Sequence, residues 1–417
     1  MDSMNELASL ADTAGAVVTG RMLQERRHIH PSTFLGKGKV HQLAGEVTEN
    51  DIDTVIFDED LSPVQMKNLE MLIKRKIVDR SGLILDIFAR RARTREAQTQ
   101  VELAQLQYLL PRLTRQWTHL SRQVGGIGTR GPGETQLEVD RRIIRKRINR
   151  LQRELDKIET QRSVRRKRRW EYKKLALVGY TNAGKSSLLN ALARTDVFVE
   201  NRLFATLDAT IRTVPLDTHQ KVLLIDTVGF IRKLPHHLVA SFRSTLEETV
   251  EADILLHVVD VSHPNYSEHI GSVQNVLREL GIIRKPTVMV LNKVDRLDER
   301  QHMAELRQRY QPAVFTSAVK GIGLESLRQA ILDILSRENI EMEVRIRASE
   351  TRIISLLYKM TTVIEKKYED DHTILKIRTS EMTIKRIGEM TGEDGLQIQR
   401  TGPMLHPPGA MYENTDL

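Results

Sequence analysis

The chain has 417 residues, 40% of them apolar and 29% charged, which is the balance of a globular protein of two to four domains and excludes collagen-like, mucin-like and largely disordered classes. Zero cysteines remove disulfide scaffolds, Cys-ligated zinc and iron–sulfur centres and thiol nucleophiles, and fit a reducing compartment. Apolar runs such as that from Ile254 to Val261, broken by His257 and Asp260, fall far short of the roughly 18 residues a spanning helix needs. Asp2 and Glu6, with no basic residue before Arg21, argue against a secretory signal.

The net charge of +9 is concentrated in one place. Between Arg141 and Lys174, sixteen Lys/Arg face four Asp/Glu, a local excess of twelve in 34 residues that leaves the other 383 at −3. A run of this density is a candidate contact for a nucleic-acid backbone, whose affinity comes from counterion release; the plainer reading is a solvated helix face.

In chain order, Met4 to Ala14 reads as a helix, and Ala16 to Val18, Thr54 to Phe57 and Ile77 to Asp79 as strands, with a helix from Ser62 to Lys74 entered through Ser62 and Pro63. This is a small α/β domain, residues 1–95. Within it, Phe34-Leu-Gly-Lys-Gly-Lys39 reads as a turn before a helix at Val40 rather than as a phosphate loop, because no strand abuts it. Leu103, Leu106, Leu110, Leu113, Trp117, Leu120 and Val124 then form an apolar seam at alternating spacings of three and four, with Pro111 expected to kink the helix. Leu137, Ile144, Ile148, Leu151, Leu155 and Ile158 repeat the seam. Two seams joined by a short loop predict an antiparallel helical hairpin over residues 96–171. Its tip, Gly125-Gly-Ile-Gly-Thr-Arg-Gly-Pro-Gly-Glu134, has more glycine than a turn needs, pointing to close approach to a partner or reordering on binding.

The strand Leu175 to Val178 is followed by Gly179, Tyr180, Thr181, Asn182, Ala183, Gly184, Lys185 and Ser186 and then a helix, a G-x-x-x-x-G-K-S phosphate loop in its strand–loop–helix context. Lys185 is expected to reach the β and γ phosphates and the Ser186 hydroxyl to ligate Mg²⁺. The strand Val222 to Ile225 ends in Asp226, Thr227, Val228 and Gly229, with Asp226 expected to hold Mg²⁺ through water and the Gly229 amide to sense the γ-phosphate. Val288 to Leu291 leads to Asn292, Lys293, Val294 and Asp295. The Asp295 carboxylate can accept from N1–H and the 2-amino group of guanine, a donor pair adenine lacks. Ser317 and Ala318 can place a backbone amide on the guanine O6. Between the first two elements, Phe204, Ala205, Thr206, Leu207 and Asp208 form a candidate sensing loop in which Thr206, or alternatively Thr210, supplies a Mg²⁺-reaching hydroxyl. The catalytic set is therefore Lys185, Thr206 and Gly229, with GTP and Mg²⁺ as ligands. Phe230 stands where many GTPases place a water-orienting glutamine, which predicts slow intrinsic turnover and stimulation by a partner.

These residues, together with Asp79-Arg-Ser-Gly-Leu-Ile-Leu-Asp-Ile-Phe-Ala-Arg-Arg-Ala-Arg-Thr94, Gln100-Val-Glu-Leu-Ala-Gln105 and the glycine-rich stretch from Gly125 to Glu138, resemble the HflX-type ribosome-associated GTPases over about residues 10–370. The resemblance implies a cytoplasmic GTPase, at most peripheral to ribosomes or a membrane, that binds the large ribosomal subunit and dissociates or rescues stalled or hibernating ribosomes. It also implies a hairpin tip near ribosomal RNA at the peptidyl-transfer centre and ribosome-stimulated hydrolysis. The G domain is expected over residues 172–340. A small α+β C-terminal domain over 341–417 should have a helix from Glu350 to Tyr368, a strand from Thr373 to Arg378 and a flexible tail after Gly402. A monomer is expected. The competing reading is a nucleotide-gated RNA-binding factor in ribosomal subunit assembly. A third reading, ATP-driven RNA remodelling by the N-terminal domain, would have to rest on Gly36 to Lys39.

Overall fold

The computed structural model describes residues 2–25, 28–116, 136–166, 172–195, 203–217, 220–233, 243–282, 285–297, 300–310, 312–337, 340–369, 371–379, 383–384, 387–388 and 397–400. The hairpin tip from Gly125 to Glu134, the seam residues Trp117, Leu120 and Val124, the cations Lys167, Arg168 and Arg169, and the tail after Gly402 lie outside them.

The N-terminal part runs α1 (Asp2–Thr13), α2 (Lys37–Glu49), β1 (Thr54–Phe57), α3 (Pro63–Ile73), β2 (Lys76–Asp79) and α4 (Arg80–Arg91). β1 and β2 pair in parallel, Thr54 opposite Lys76, so α3 is their crossover. Ser62 caps α3 in a reciprocal box with Gln65: the Gln65 N–H donates to Ser62 Oγ at 3.2 Å and the Ser62 N–H to Gln65 Oε1 at 2.9 Å. Gly36, in extended backbone, caps α2, which fits the turn reading of that stretch. The strand expected from Ala16 to Val18 is corrected here: the segment has no regular structure and joins neither β1 nor β2, and Val17 is 88% exposed. Without a ladder to satisfy its backbone, β-branched composition alone makes no strand. α4 was missed in the sequence although it carries a signal: Asp79 caps it, accepting from Gly82 N–H at 2.8 Å, and Leu83, Ile84, Ile87 and Phe88 recur at helical spacing and are buried.

α5 (Arg95–Gln116) and α6 (Gln136–Arg166) form the hairpin, and α5 continues through Pro111. Arg95 pairs with Glu154 at 2.5 Å and Glu102 with Arg147 at 2.7 Å, a descending register that fixes the two helices as antiparallel. Leu103 and Leu151 are buried in the seam, and Ala104 is buried in the cluster that includes α4. Ile144, Ile148, Leu155 and Ile158 are half-buried beside them, while Arg142, Arg145, Lys146, Arg150, Arg153 and Lys157 are exposed.

β3 (Lys173–Gly179), α7 (Lys185–Ala193), β4 (Thr210–Pro215), β5 (Lys221–Asp226), α8 (Arg243–Glu251), β6 (Ile254–Asp260), α9 (Tyr266–Glu279), β7 (Thr287–Asn292), α10 (Arg300–Arg309), β8 (Ala313–Phe315) and α11 (Leu324–Arg337) form a six-stranded sheet in the order β4-β5-β3-β6-β7-β8. β4 is antiparallel to β5 and the remaining neighbours are parallel. The pleat sends Leu175 and Leu177 to one face, under Leu188, Leu189 and Leu327. Ala176 and Val178 face the other way, into a buried cluster continuous with Leu7, Leu10, Ile84 and Phe88 of α1 and α4. The N-terminal helices are therefore packed into the same core as the nucleotide-binding sheet.

The C-terminal part has β9 (Ile340–Arg347), α12 (Thr351–Met360), β10 (Thr362–Glu369), β11 (His372–Thr379) and β12 (Gln397–Arg400), in the order β10-β11-β9-β12 with antiparallel neighbours, a split β-α-β arrangement. The expected helix from Glu350 to Tyr368 is corrected here. It stops at Met360, and the run Thr361-Thr-Val-Ile364 turns the chain into β10, because its branched side chains suit a pleated surface better than a helix.

Candidate nucleotide site

The carboxyl ends of β3, β5, β6 and β7 converge on one edge of the sheet, where parallel α/β folds bind ligands. Gly184 caps α7 at φ +94°, and a Cβ there would lie 2.4 Å from Asn292 Nδ2, so only glycine permits the loop to close. Lys185 is buried, and its Nζ donates to the carbonyls of Tyr180 at 2.9 Å and Gly179 at 3.2 Å. Burial, with Lys293 adding to it and Asp226 opposing, pushes its pKa down to about 8. The ammonium spans the loop and points its charge where phosphates would lie at the positive end of α7.

Asp226, Ser186 and Thr206 form a compact oxygen cluster. Asp226 Oδ2 accepts from Ser186 Oγ at 2.6 Å and from Thr206 Oγ1 at 3.0 Å, and the two hydroxyls are 2.8 Å apart. Asp226 Oδ1 is buried with no hydrogen-bond partner, and burial pushes the carboxyl pKa up against the pull of Lys185 and both hydroxyls. An orphaned carboxylate oxygen beside two hydroxyls is the donor set of a hard cation. Thr210, the alternative hydroxyl, opens β4 opposite Asp226.

Gly229 sits flush against the phosphate loop, and a Cβ on it would lie 2.7 Å from Thr181 Cα and 3.1 Å from Lys185 Nζ. Phe230 stitches this segment to the loop through its backbone: its N–H donates to the Gly179 carbonyl at 3.1 Å and its carbonyl accepts from Thr181 N–H at 2.7 Å. Its ring is buried in the core shared with α1 and α4. The Phe230 side chain therefore turns away from the phosphate loop. Thr227 is also buried, its hydroxyl donating to the Leu177 carbonyl at 2.6 Å, and Val228 packs in the core.

The elements expected from the sequence to recognise the base meet through Asn292. Its Nδ2 donates to the Ala183 carbonyl at 3.0 Å, and its Oδ1 accepts from Thr316 Oγ1 and from Ala318 N–H, each at 3.2 Å. Lys293 donates to the Asn182 carbonyl at 2.8 Å and pairs with Asp260 at 2.6 Å. Val294 and Asp295 follow in a 3₁₀ turn that leaves the Asp295 carboxylate exposed. Ser317 is buried, its Oγ accepting from Lys320 N–H at 3.1 Å. Thr316 and Asp260 were not singled out by the sequence, although each lies at a strand's carboxyl end beside a motif residue.

The loop Phe204 to Asp208 is divided. Thr206 joins the oxygen cluster, and Ala205 is half-buried beside it. Phe204 and Leu207 bury their side chains in the core shared with α4, and the Asp208 carboxylate accepts from the N–H groups of Arg93 at 3.0 Å and Thr94 at 3.2 Å. No local pattern signalled that these three side chains would turn away from the nucleotide.

Residues 1–89 match the family described as GTP-binding GTPase N-terminal, 91–169 its GTP-binding GTPase middle region, and 174–293 the family described as 50S ribosome-binding GTPase. The chain is 43% identical over 399 residues to GTPase HflX of Magnetococcus marinus, covering 95% of this chain and 92% of that one. It is also 43% identical over 382 residues to GTPase HflX of Escherichia coli, covering 91% and 90%. Among solved structures, a GTP-binding protein from Sulfolobus solfataricus in complex with GDP is 28% identical, with a TM-score of 0.43 over 80% of this chain and 95% of that chain. Among the described residues, no helix is long and apolar enough to cross a membrane.

Proposed function

The chain belongs to the HflX family of GTPases and hydrolyses GTP, and from that premise we propose that it binds the large ribosomal subunit and couples its nucleotide cycle to dissociation or rescue of stalled or hibernating ribosomes in the cytoplasm. The observation that carries this reading is the exposed cationic face of α6, its apolar seam turned toward α5, in a chain that also holds a GTPase site. A helix that spends its basic residues on solvent and its apolar ones on a partner helix is built to lie along phosphates. The functional division we propose is residues 1–95, 96–171, 172–340 and 341–417, acting as a monomer, with the tip from Gly125 to Glu134 reaching ribosomal RNA.

Within the site, Lys185 neutralises the β and γ phosphates and the backbone from Gly179 to Ser186 cradles them, while Asp295 and the Ala318 amide read the guanine edge. Ser186, Thr206 and, through water, Asp226 would hold Mg²⁺, which would supply charge neutralisation on the transferring phosphoryl group. Gly229 offers its amide to the γ-phosphate. Because Phe230 directs its ring into the core, the attacking water has no polar side chain from that position, and turnover of the isolated chain is slow until a ribosomal partner completes the site.

Sedimentation of whole ribosomes with GTP or a non-hydrolysable analogue tests the reading. Conversion of 70S particles to subunits supports it. Stable association with large-subunit precursors and no effect on mature ribosomes would move the chain to the assembly reading.

A further inference from the structure

The loop that carries Thr206 is gripped from outside the G domain. On one side of Thr206, the Phe204 ring is buried edge-to-face against Phe88 of α4, centroids 4.8 Å apart. Phe204 takes a left-handed φ of +53°, which an aromatic residue holds only where its surroundings insist, and its N–H is tied to Thr181 Oγ1 at 2.9 Å. On the other side, the Asp208 carboxylate takes the N–H groups of Arg93 and Thr94 and the Thr94 hydroxyl. Thr94 is itself the cap of α5: its hydroxyl oxygen accepts from Ala97 N–H at 3.2 Å and its carbonyl from Gln98 N–H at 3.0 Å. Asp208 and Thr94 thus form a two-link cap, with a carboxylate at the positive end of the hairpin's first helix.

α5 does not move alone, since Tyr108 and Arg112 on it bond Asp79, at 2.7 Å and 2.8 Å, where β2 runs into α4. Whatever displaces the first turn of α5 therefore carries α4 with it.

We infer that Asp208 is a positioning residue that makes the hairpin a lever worked by the nucleotide. When Thr206 is drawn toward the γ-phosphate and its cation, Asp208 follows and pulls the first turn of α5, so α4, α5 and α6 shift together against the G-domain sheet. By linkage, a partner that fixes the hairpin also fixes Thr206 in its hydrolytic position. The inference rests on the guanine-nucleotide site alone, without regard to which particle the hairpin meets.

The natural absence of cysteine allows a direct test in the full chain. Spin labels on cysteines replacing exposed Leu109 of α5 and exposed Ser326 of α11 report the hairpin-to-sheet distance with Mg²⁺ and either GDP or a non-hydrolysable GTP analogue. The two nucleotides should give separate distance distributions in the parent, coincident ones in Asp208→Ala and Thr94→Val, and separate ones again in Thr94→Ser, which keeps the hydroxyl. Binding of a fluorescent guanine nucleotide in the same samples shows that the site is filled, so a disconnected lever is distinguished from an empty pocket. Undiminished separation in both Asp208→Ala and Thr94→Val, or none in a nucleotide-loaded parent, overturns the inference.

Discussion

The proposed role of Asp295 is to select the base through the two hydrogen bonds its carboxylate can accept, which makes it the sharpest residue to test. Asp295→Asn replaces an acceptor with a donor facing the 2-position, so binding of GDP should weaken by about 100-fold or more while xanthosine diphosphate, with an oxygen there, gains. Competition binding with the two nucleotides reads both. Gly229→Ala drives a methyl group into Thr181 and Lys185, so GTP hydrolysis should fall steeply while GDP affinity changes only a few-fold; unchanged turnover would count against the Gly229 amide as sensor. A third residue acts on stability. His257, 2% exposed on β6, is pushed down to about 4 by burial, reinforced by the Lys185 charge. Its unfolded value is 6.5, so the unfolded chain binds the extra proton, and stability present above pH 6.5 is lost as pH falls toward 4, by about 3 kcal/mol. His257→Gln should flatten that part of a denaturation-versus-pH curve. The motif residues were legible because phosphate and guanine recognition need particular atoms at particular spacings. The burial of Phe204, Phe230 and His257 was not, because each depends on packing against residues distant in sequence.

The long periodic elements were the most readable. Both seams of the hairpin predicted α5 and α6, since a sustained alternation of three and four leaves no other regular structure, whereas the short segments at Ala16 and Thr361 were decided by whether a partner strand was in reach. Leu151 fills the seam at 2% exposure, so Leu151→Ala should destabilise the helix pair by about 2–5 kcal/mol. Hydrogen exchange would show this as faster exchange along α5 and α6 with the G-domain strands still protected. The outer face of α6 makes a different prediction. Replacing Arg145, Arg150 and Arg153 with glutamine should weaken ribosome binding and lower the slope of log affinity against log salt by up to about 0.9 for each phosphate no longer neutralised. An unchanged slope would assign that face to solvent.

Across the protein as a unit, one buried cluster runs from α1 and α4 through Phe204 and Phe230 into the nucleotide-binding sheet. Arg80, fully buried, extends the same junction with ion pairs to Glu6 and Asp58 and a 2.9 Å bond to the Arg232 carbonyl, just past the Asp226–Gly229 segment. Sequence showed the order of the parts but not this shared core, which arises from side chains far apart along the chain. The proposed function stands or falls on whether a GTP site with Phe230 where many GTPases place a water-orienting glutamine is completed through a cationic hairpin on the large ribosomal subunit. The GTP turnover rate of the full chain with and without purified large subunits decides this, measured for the parent and for the Arg145, Arg150 and Arg153 variant. Slow turnover alone, strong stimulation by large subunits and loss of that stimulation in the variant, with its basal rate intact, are the expected results. Equal turnover with and without large subunits, or full stimulation of the variant, would refute the proposal.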